Sequence, residues 1–299
     1  MNGVVHLAGP TGAGKSALAL AVAEAAGAEI INADAFQLYR GLEILSAAPT
    51  AEEKSRVPHH LYGVLGPEEA CDAARYAALA REALDGIAAR GQRALVVGGS
   101  GLYLKALTHG LADLPSREAM RAELSAHPPE ENVARLRVLD PAGAARMNLT
   151  NPRHVIRALE ICLLTGRPAS EARAAWDGPD PEGLRGVFLA RERDDLYRRI
   201  DRRVLAMFDA GVVEEVRALS GVAVSTTAEK AIGLREIRAL LAGESTRDGT
   251  IAAMQQATRR YAKRQGTWFR RERWLKTVCL GAEDTPDSLA SEVVRAFFP

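Results

Sequence analysis

The sequence has few cysteines, no long apolar run and almost no net charge. Its three cysteines, Cys71, Cys162 and Cys279, are widely spaced and form no CxxC pair. This pattern argues against a disulfide framework or a zinc site and favours buried thiols in a reducing compartment. No window approaches the roughly 18 apolar residues of a membrane-spanning helix, and residues 1–7 contain no basic region. We therefore expect a cytoplasmic protein without a membrane segment.

The composition is that of a globular protein. The chain has 299 residues, of which 47% are hydrophobic and 26% charged, as expected for one large domain or a core with one insert. Apolar segments at 3–8, 28–32 and 94–97 alternate with helical patterns at 16–26 and 75–89. This alternation predicts an α/β fold with a parallel sheet and helical crossovers. Later in the chain, the patterns predict a strand at 186–190 and helices at 196–211, 213–219, 228–242 and 251–271.

Strand signals are absent between about residues 113 and 181. Amphipathic segments at 118–126, 130–139 and 155–164 are separated by Pro128-Pro129, Asp140-Pro141 and Gly178-Pro179-Asp180-Pro181. We therefore predict a helical insertion domain over 113–181, within a core formed by residues 1–112 and 182–299.

A phosphate-binding motif follows the first predicted strand. Gly9-Pro10-Thr11-Gly12-Ala13-Gly14-Lys15-Ser16 matches GxxxxGK[ST] between a strand and a helix, the context that this motif requires. Its glycines allow backbone N–H groups to converge on a phosphate oxygen, Lys15 adds a positive charge, and Ser16 is a candidate ligand of Mg²⁺. The motif predicts binding of a diphosphate or a triphosphate.

The carboxylate that NTPases of this class usually place after a second apolar strand is missing. Ala94-Leu95-Val96-Val97 leads instead into Gly98-Gly99-Ser100-Gly101, which is either an acceptor pocket or a tight turn. Asp34 follows another predicted strand, and metal contact, general base and helix cap are all open roles for it. For the adjacent His59 and His60 we expect a structural role or a place in a pocket wall.

The net charge of +1 is unevenly distributed. Residues 258–276 contain eight cations and one anion, so this segment carries +7 and the rest of the chain −6. Arg259 and Lys263 are four residues apart and would stack on one helix face, with Tyr261 and Trp268 nearby in the sequence. The segment is either a solvated basic helix or a surface for nucleic-acid phosphates and bases.

Six blocks along the chain point to one family. They are Gly9-Pro10-Thr11-Gly12-Ala13-Gly14-Lys15-Ser16, Ile31-Asn32-Ala33-Asp34 with Gln37-Leu38-Tyr39-Arg40-Gly41, Pro58-His59-His60-Leu61, Val97-Gly98-Gly99-Ser100-Gly101-Leu102-Tyr103, Arg157-Ala158-Leu159-Glu160, and Thr258-Arg259-Arg260-Tyr261-Ala262-Lys263-Arg264-Gln265 with Thr267-Trp268-Phe269-Arg270. In this order they resemble the tRNA dimethylallyltransferases, also called isopentenyl-tRNA transferases, over nearly the whole chain.

The resemblance implies a specific reaction on a P-loop NTPase-like parallel sheet flanked by helices. The P-loop would hold the diphosphate of dimethylallyl diphosphate rather than a nucleoside triphosphate, which accounts for the missing carboxylate. The enzyme would transfer the dimethylallyl group to N6 of adenine 37 in tRNA, with Mg²⁺, and release diphosphate. The expected partners are the tRNA anticodon stem-loop and dimethylallyl diphosphate, and we expect a monomer.

The resemblance also implies roles for individual residues. Asp34 would be the general base, with Lys15, Ser16 and Ser100 as further catalytic residues. The P-loop from Gly9 to Ser16 would hold the diphosphate, Ser16 would bind the metal, and Arg199 or Arg203 would clamp the diphosphate. The implied tRNA contacts are Asp34, Ala35, Phe36, Gln37, Ser100, Arg121, Arg153, His154, Val155, Ile156, Arg157, Arg259 and Lys263.

The chain departs from the family pattern in several places. The family commonly reads Asp-Ser after the second strand and then Asp-Ile-Gly-Thr-Ala-Lys-Pro, where this chain has Asp34-Ala35 and Glu43-Ile44-Leu45-Ser46-Ala47-Ala48-Pro49. Ser100 replaces the usual threonine, and Arg153-His154 replaces Gln-Arg. Three alternatives stay open: a prenyltransferase of free adenine nucleotides, a P-loop small-molecule kinase and a non-catalytic P-loop RNA-binding module.

Overall fold

The computed structural model describes residues 3–111, 114–172, 180–281 and 284–298. Its strands are β1 (Val4–Ala8), β2 (Ala28–Asn32), β3 (His59–His60), β4 (Arg93–Gly98), β5 (Gly186–Arg191) and β6 (Leu275–Leu280). They form one sheet in the order β3-β2-β4-β1-β5-β6, and all paired strands are parallel. The predicted α/β class with a parallel sheet is therefore confirmed.

Helices connect these strands and fill the segment between β4 and β5. The first group is α1 (Lys15–Ala26), α2 (Glu43–Ser46), α3 (Ala51–Arg56), α4 (Ala73–Ala89) and α5 (Gly101–Thr108). The second is α6 (Glu118–Ala126), α7 (Pro129–Leu139), α8 (Pro141–Arg146), α9 (Pro152–Thr165) and α10 (Ala169–Ala172). The third is α11 (Arg193–Asp209), α12 (Val212–Ala218), α13 (Leu234–Leu241), α14 (Arg247–Phe269) and α15 (Pro286–Phe297).

The sheet is buried on both faces, as parallel sheets are. Val5 and Leu7 of β1 point to one face, where they belong to an apolar cluster with Leu18 of α1. Ala8 belongs to the cluster of the other face, together with Phe269 of α14. Alternate side chains of one strand thus pack against different helices, and this layering fixes the helices relative to the strand ends.

The chain divides into a core unit, Met1–Thr108 with Asp180–Pro299, and a helical unit, His109–Pro179. The helical unit has its own apolar cluster, which includes Leu124, Leu136 and Leu159. Of the predicted insertion, residues 113 and 173–179 lie outside the described residues. No described helix is long and apolar enough to cross a membrane.

The predicted helix at 228–242 is wrong as a single element. The chain forms a 3₁₀ turn at Ala228–Lys230 and then α13. Gly233, between them, has a φ of 102°, and a Cβ on it would lie 2.6 Å from Met254 Cε. A continuous helix is incompatible with this left-handed residue.

Two further differences concern the edges of the sheet. The short strand β3 holds the adjacent histidines, and His60 Nε2 lies 2.6 Å from Glu29 Oε2, a structural contact. The unpredicted strand β6 forms the other edge, where only Leu275 and Leu280 of its six residues are buried.

Cys279 on this strand is exposed, contrary to the expectation for all cysteines, whereas Cys71 and Cys162 are buried.

Candidate active site

Three loops meet at one edge of the sheet because their strands are parallel neighbours. β1 leads into the P-loop, β2 into Asp34 and β4 into Ser100. Ala33 N donates to Val97 O (2.7 Å), and Ser100 N donates to Ala33 O (3.2 Å). A Cβ on Gly98 would lie 2.1 Å from Ala33 O. The glycine-rich end of β4 therefore permits a close backbone approach to the turn that carries Asp34.

The P-loop, residues 9–16, has the shape of an anion cradle. Gly12 and Gly14 adopt φ values of 82° and 101°, which only glycine adopts without strain. Ala13 N donates to Pro10 O (3.2 Å) inside the loop, and α1 begins at Lys15. Since the first N–H groups of a helix have no partner within it, this end of α1 can bind an anion.

Lys15 points its ammonium group into the loop. Its Nζ donates to the carbonyl oxygens of Gly9 and Pro10, at 2.9 Å each. Burial lowers the pKa of Lys15 to about 8, Asp34 raises it in part, and Arg203 lowers it further. A phosphate in the loop would offset the cost of burial and favour the charged lysine.

Helix α11 places two arginines against the loop, in different ways. Arg203 donates to Thr11 Oγ1 and to Ser46 O, at 3.3 Å each, and burial lowers its pKa. Arg199 donates from Nε to the carbonyl oxygen of Gly12 (3.0 Å). Arg203 therefore lies at the pocket, whereas Arg199 bonds to the backbone of the loop.

Arg191, at the end of β5, is a third arginine at the loop, and the sequence analysis did not single it out. Its side chain is 4% exposed and forms an ion pair with Asp195. Its Nε also donates to Ala13 O (3.3 Å). Its position at the carboxyl end of a predicted strand could have identified it as a site residue, because ligands of open α/β sheets bind at these strand ends.

Asp34 is held in a turn by short-range hydrogen bonds. Its backbone N–H donates to Asn32 Oδ1 (2.7 Å), and its Oδ1 accepts from Phe36 N (3.0 Å). The residues that follow form a turn rather than a helix, so Asp34 does not cap one. Its Oδ2 has no hydrogen bond to any residue in the described ranges, which leaves this oxygen able to accept a proton.

The neighbours of Asp34 serve different purposes. Ala35 N donates to Ser100 Oγ (3.0 Å), which joins the ends of β2 and β4 a second time. Phe36 lines the pocket and faces Tyr261 of α14, with ring centroids 6.3 Å apart. Gln37 instead donates to the carbonyl oxygens of Ser46 and Ala47, at 3.1 and 2.9 Å, and thereby holds the α2 segment.

Tyr261 is a pocket residue whose role the sequence analysis missed. It lines the pocket, and its hydroxyl interacts with the side chains of Ser100 and Gln265. Burial raises the pKa of this tyrosine, and Asp34 adds to the effect. Tyr261, Gln265 and Phe269 recur at intervals of four, the spacing of one helix face, and this spacing could have assigned them to the buried side of the basic helix.

These groups form one pocket within the core unit. Its polar side chains include Thr11, Asp34 and Arg203. Most of the remaining wall is apolar, formed by Phe36, Leu45, Ile200, Val204, Met207, Ala231, Ile232 and Met254. Ser46 also lines it, and its Oγ is buried with no partner in the described structure. The pocket suits a ligand with an anionic end and an apolar body.

Ser16 is the predicted metal ligand. It is the second residue of α1 and is exposed, and its hydroxyl bonds to no described residue. A hydroxyl oxygen beside a phosphate cradle suits Mg²⁺, which typically keeps several waters and shares few protein ligands with substrate phosphates. The residues present therefore fit a divalent cation held mainly through a bound phosphate.

Helix α14 carries the two predicted tRNA contacts of the basic segment. Arg259 forms a bidentate pair with Asp201 of α11, at 2.7 to 2.9 Å. Lys263 is exposed, and no ion pair within the described ranges includes it. The charge of Arg259 is thus largely neutralised by the protein, whereas that of Lys263 is open to solvent.

In the helical unit, two predicted contacts share a buried carboxylate. Glu160 is 0% exposed and accepts from Arg157 Nη1 (2.5 Å) and from Arg117 N (2.6 Å). Arg121 Nη1 lies 3.8 Å from the same carboxylate. Arg157 and Arg121 remain 31% and 43% exposed, so each guanidinium is held in place with one side towards solvent.

The other predicted contacts of this unit lie in the first turns of α9. Arg153 and His154 are exposed. Val155 is 2% exposed and packs in the core of the unit, so its side chain does not offer the predicted contact. Ile156 is half-buried against the same cluster.

Comparisons of the sequence identify close relatives. The model of a family described as IPP transferase matches residues 37–272. The tRNA dimethylallyltransferase of Akkermansia muciniphila is 42% identical over 292 residues, which cover 97% of this chain and 98% of that protein. tRNA dimethylallyltransferase 1 of Citrifermentans bemidjiense is 45% identical over 281 residues, covering 91% and 92%.

Solved structures that resemble this one have names of the same kind as the relatives found by sequence. The tRNA isopentenylpyrophosphate transferase of Bacillus halodurans superposes with a TM-score of 0.73 at 34% identity, covering 99% of this chain and 95% of that one. A eukaryotic dimethylallyltransferase acting on tRNA gives a TM-score of 0.81 at 25% identity, covering 99% and 79%.

Proposed function

This chain belongs to the IPP transferase family, and from that premise we propose that it is a tRNA dimethylallyltransferase. The proposed reaction transfers the dimethylallyl group of dimethylallyl diphosphate to N6 of adenine 37 in tRNA and releases diphosphate. One observation carries the proposal: Asp34, Thr11 and Arg203 line a pocket that is otherwise mainly apolar, and Lys15 interacts electrostatically with Asp34 and Arg203. A prenyl diphosphate has the matching chemistry, an anionic end and an apolar body.

The chemistry of the transfer explains why cations and a carboxylate are needed together. The bond between the allylic carbon and the ester oxygen breaks, and a bond from that carbon to N6 forms. Negative charge increases on the departing diphosphate, so positive groups at its oxygens stabilise the transition state. We assign this role to Lys15, Arg203 and the N–H groups of the P-loop.

The attacking amine needs a base because its lone pair is delocalised into the purine ring. Asp34 has one carboxylate oxygen without a hydrogen-bond partner among the described residues, and its other oxygen is fixed by Phe36 N. We assign to Asp34 the proton that N6 loses as the new bond forms, a contribution of about 10²–10⁴-fold in rate for a general base. Ser100 supports it by bonding Ala35 N.

The metal that we propose is Mg²⁺, which Ser16 would hold together with oxygens of the diphosphate. When bound, it supplies positive charge to the leaving group. Arg199 and Arg191 bond to carbonyl oxygens of the loop, and we assign them to holding the loop in shape. The clamp on the diphosphate is then Arg203 rather than Arg199.

Transfer to N6 of a stacked base requires that the adenine leave its stack. We propose that it enters beside Phe36 and Ser100. For RNA phosphates and loop bases we propose Lys263 in the core unit, and Arg121, Arg153, His154 and Arg157 in the helical unit. Arg259 can join them only by exchanging Asp201 for a phosphate. We propose that the enzyme acts as a cytoplasmic monomer.

A transfer assay tests the proposal against its alternatives. The protein is incubated with Mg²⁺, dimethylallyl diphosphate labelled in the prenyl group, and either unmodified tRNA or AMP. Label in tRNA, located at adenine 37 by nuclease mapping, is the expected result. Label in AMP would indicate a prenyltransferase of free nucleotides, and tRNA binding without transfer would indicate a non-catalytic module. Transfer of the γ-phosphate of ATP to a small molecule would indicate a kinase.

A further inference from the structure

Gln265 of α14 connects two loops of the pocket. It is 5% exposed, its Oε1 accepts from Thr11 N (2.9 Å) and its Nε2 donates to Gly99 O (2.9 Å). Thr11 belongs to the P-loop after β1, and Gly99 to the loop after β4. The amide orientation is fixed by its partners, because a backbone N–H can only donate and a carbonyl oxygen can only accept.

This arrangement requires a side-chain amide at this position. A carboxylate would put an acceptor against the Gly99 carbonyl, and an apolar side chain would leave both backbone groups without partners in a buried place. The facing residue is constrained as well, since a Cβ on Gly99 would lie 2.2 Å from Gln265 Nε2. The bridge therefore depends on a glycine and a glutamine that are far apart in the sequence.

The bridge extends to the turn that carries Asp34. Gly99, which accepts from Gln265, precedes Ser100, whose N–H donates to Ala33 O (3.2 Å) and whose Oγ accepts from Ala35 N (3.0 Å). A continuous set of polar contacts thus runs from the P-loop, through one face of α14, to the residue next to Asp34. Hydrogen bonds of Ala33, Ala35 and Ser100 join the ends of β2 and β4, and Gln265 joins the loop after β4 to the P-loop.

We propose that Gln265 is a positioning residue that fixes the distance between the diphosphate cradle and the general base. Gln265 contacts neither the prenyl group nor the proton in this proposal, and acts only by holding Thr11 and Gly99. The inference rests on the proposed function, because a fixed separation matters when two substrates must react between these groups. Misplacing reacting groups by about 1 Å can cost on the order of 100-fold in rate.

The decisive variant is Gln265→Glu, because a protonated glutamic acid reproduces both hydrogen bonds of the amide and a carboxylate reproduces only one. We expect kcat to be about 10- to 100-fold below wild type at about pH 8. Burial raises the pKa of a carboxyl group, so the deficit should shrink towards about pH 5.5. Lys15, Arg203 and Asp34 also lie at the pocket in both proteins, and for this reason the readout is the ratio of the variant kcat to the wild-type kcat at each pH.

A matched control is available on the same helix. Gln255 Nε2 donates to a backbone carbonyl, that of Asp201, at 3.3 Å, but does not touch the P-loop. Gln255→Glu should leave the ratio to wild type near one at every pH. Gln265→Met should show the kcat deficit at all pH values, and Gln265→Asn, too short to reach both loops, should do the same. Melting temperature and tRNA affinity, measured for each variant, separate misfolding from misplacement.

Two results would overturn the proposal. The first is a ratio of Gln265→Glu kcat to wild-type kcat that does not rise as the pH falls. The second is a kcat of Gln265→Met within about twofold of wild type, which is a smaller loss than misplacement of the reacting groups would cause. Inorganic pyrophosphate binding gives a readout that does not need the transfer reaction, and Gln265→Met should weaken it several-fold at unchanged melting temperature. If the wild type transfers no prenyl group, the proposed function fails, and pyrophosphate binding still decides whether Gln265 holds the cradle.

Discussion

Replacement of Asp34 by asparagine tests the chemical core of the proposal. The change removes a charge and a proton acceptor but conserves the contact that shapes the turn, because Asn Oδ1 can accept from Phe36 N as Asp34 Oδ1 does at 3.0 Å. Loss of a general base lowers the rate by about 10²–10⁴-fold, which corresponds to about 3 to 5 kcal/mol in the barrier. We therefore expect kcat to fall by that factor while tRNA affinity stays within about twofold of wild type.

A second effect of this variant must be kept apart from the first. Burial lowers the pKa of Lys15 to about 8 even though Asp34 raises it in part, so removing the Asp34 charge lowers this pKa further and the variant loses part of the lysine charge near neutral pH. This loss should raise KM for dimethylallyl diphosphate and also lower kcat, because Lys15 stabilises the leaving diphosphate. Comparing the kcat of the variant and the wild type at several pH values separates the two effects, because the lysine regains its charge as the pH falls.

The assay is single-turnover transfer of labelled prenyl to tRNA, with tRNA affinity measured separately by filter binding. Asp72→Asn is the matched control, because Asp72 also accepts from a backbone N–H, that of Arg75, at 2.9 Å, and does not line the pocket. The control should retain wild-type kcat. A kcat for Asp34→Asn within about tenfold of wild type, or an equal loss in kcat and tRNA affinity, would refute the assignment of Asp34 as base.

Three other outcomes are expected. Since the pKa of Lys15 is lowered to about 8, the free protein loses this charge as the pH rises through 8. Calorimetry should then show that pyrophosphate affinity falls around this pH in the wild type but not in Lys15→Met. The same dependence of affinity on pH in both proteins would contradict this. Burial lowers the pKa of His6 from 6.5 to about 4, so the folded state binds fewer protons than the unfolded state in this range. The free energy of unfolding should therefore decrease by about 3 kcal/mol between pH 6.5 and 4, and denaturant titrations of His6→Phe should lack this component. Lys263→Ala should reduce the slope of log tRNA affinity against log salt by about 0.7 to 0.9. Arg259→Ala should reduce this slope less, because Asp201 neutralises that arginine. Equal changes in slope for the two variants would show that the Arg259–Asp201 ion pair opens when RNA binds.

Much of the fold follows from local pattern, and its exceptions have local causes. The central strands β1, β2, β4 and β5 are buried on both faces, so each has a continuous apolar segment that the sequence reveals. The edge strand β6 does not, because its middle residues are largely exposed. The split at Gly233 depends on Met254 and Leu45, whose side chains occupy the space that a Cβ would need. No short window of sequence contains that information.

The candidate site also has parts that a local sequence pattern predicts and parts that depend on residues far apart in the sequence. The P-loop is local, since eight consecutive residues form the cradle, and the motif alone predicts it. Asp34 also follows from its place at the end of a strand. Gln265, Tyr261 and Arg191 reach the same site from distant elements of the chain. In the sequence Gln265 and Tyr261 stand among the cations of the basic segment, and Arg191 follows the predicted strand at 186–190, so nothing local joins them to the P-loop. Their roles become visible once α14 and β5 are placed beside β1.

The departures from the family pattern can be judged from the same contacts. Ala35 lacks the hydroxyl of the usual serine, but the turn around Asp34 is held by bonds that do not need it: Asp34 N to Asn32 Oδ1, and Ala35 N to Ser100 Oγ. Only the backbone of residue 35 takes part, and alanine supplies the same N–H as serine. Ser46 retains a hydroxyl in the other departing segment, and its Oγ is buried at the pocket without a partner in the described residues. The groups that orient the proposed base are therefore intact at these two positions, so the Ala35 and Ser46 departures give no physical reason to expect a degenerate site.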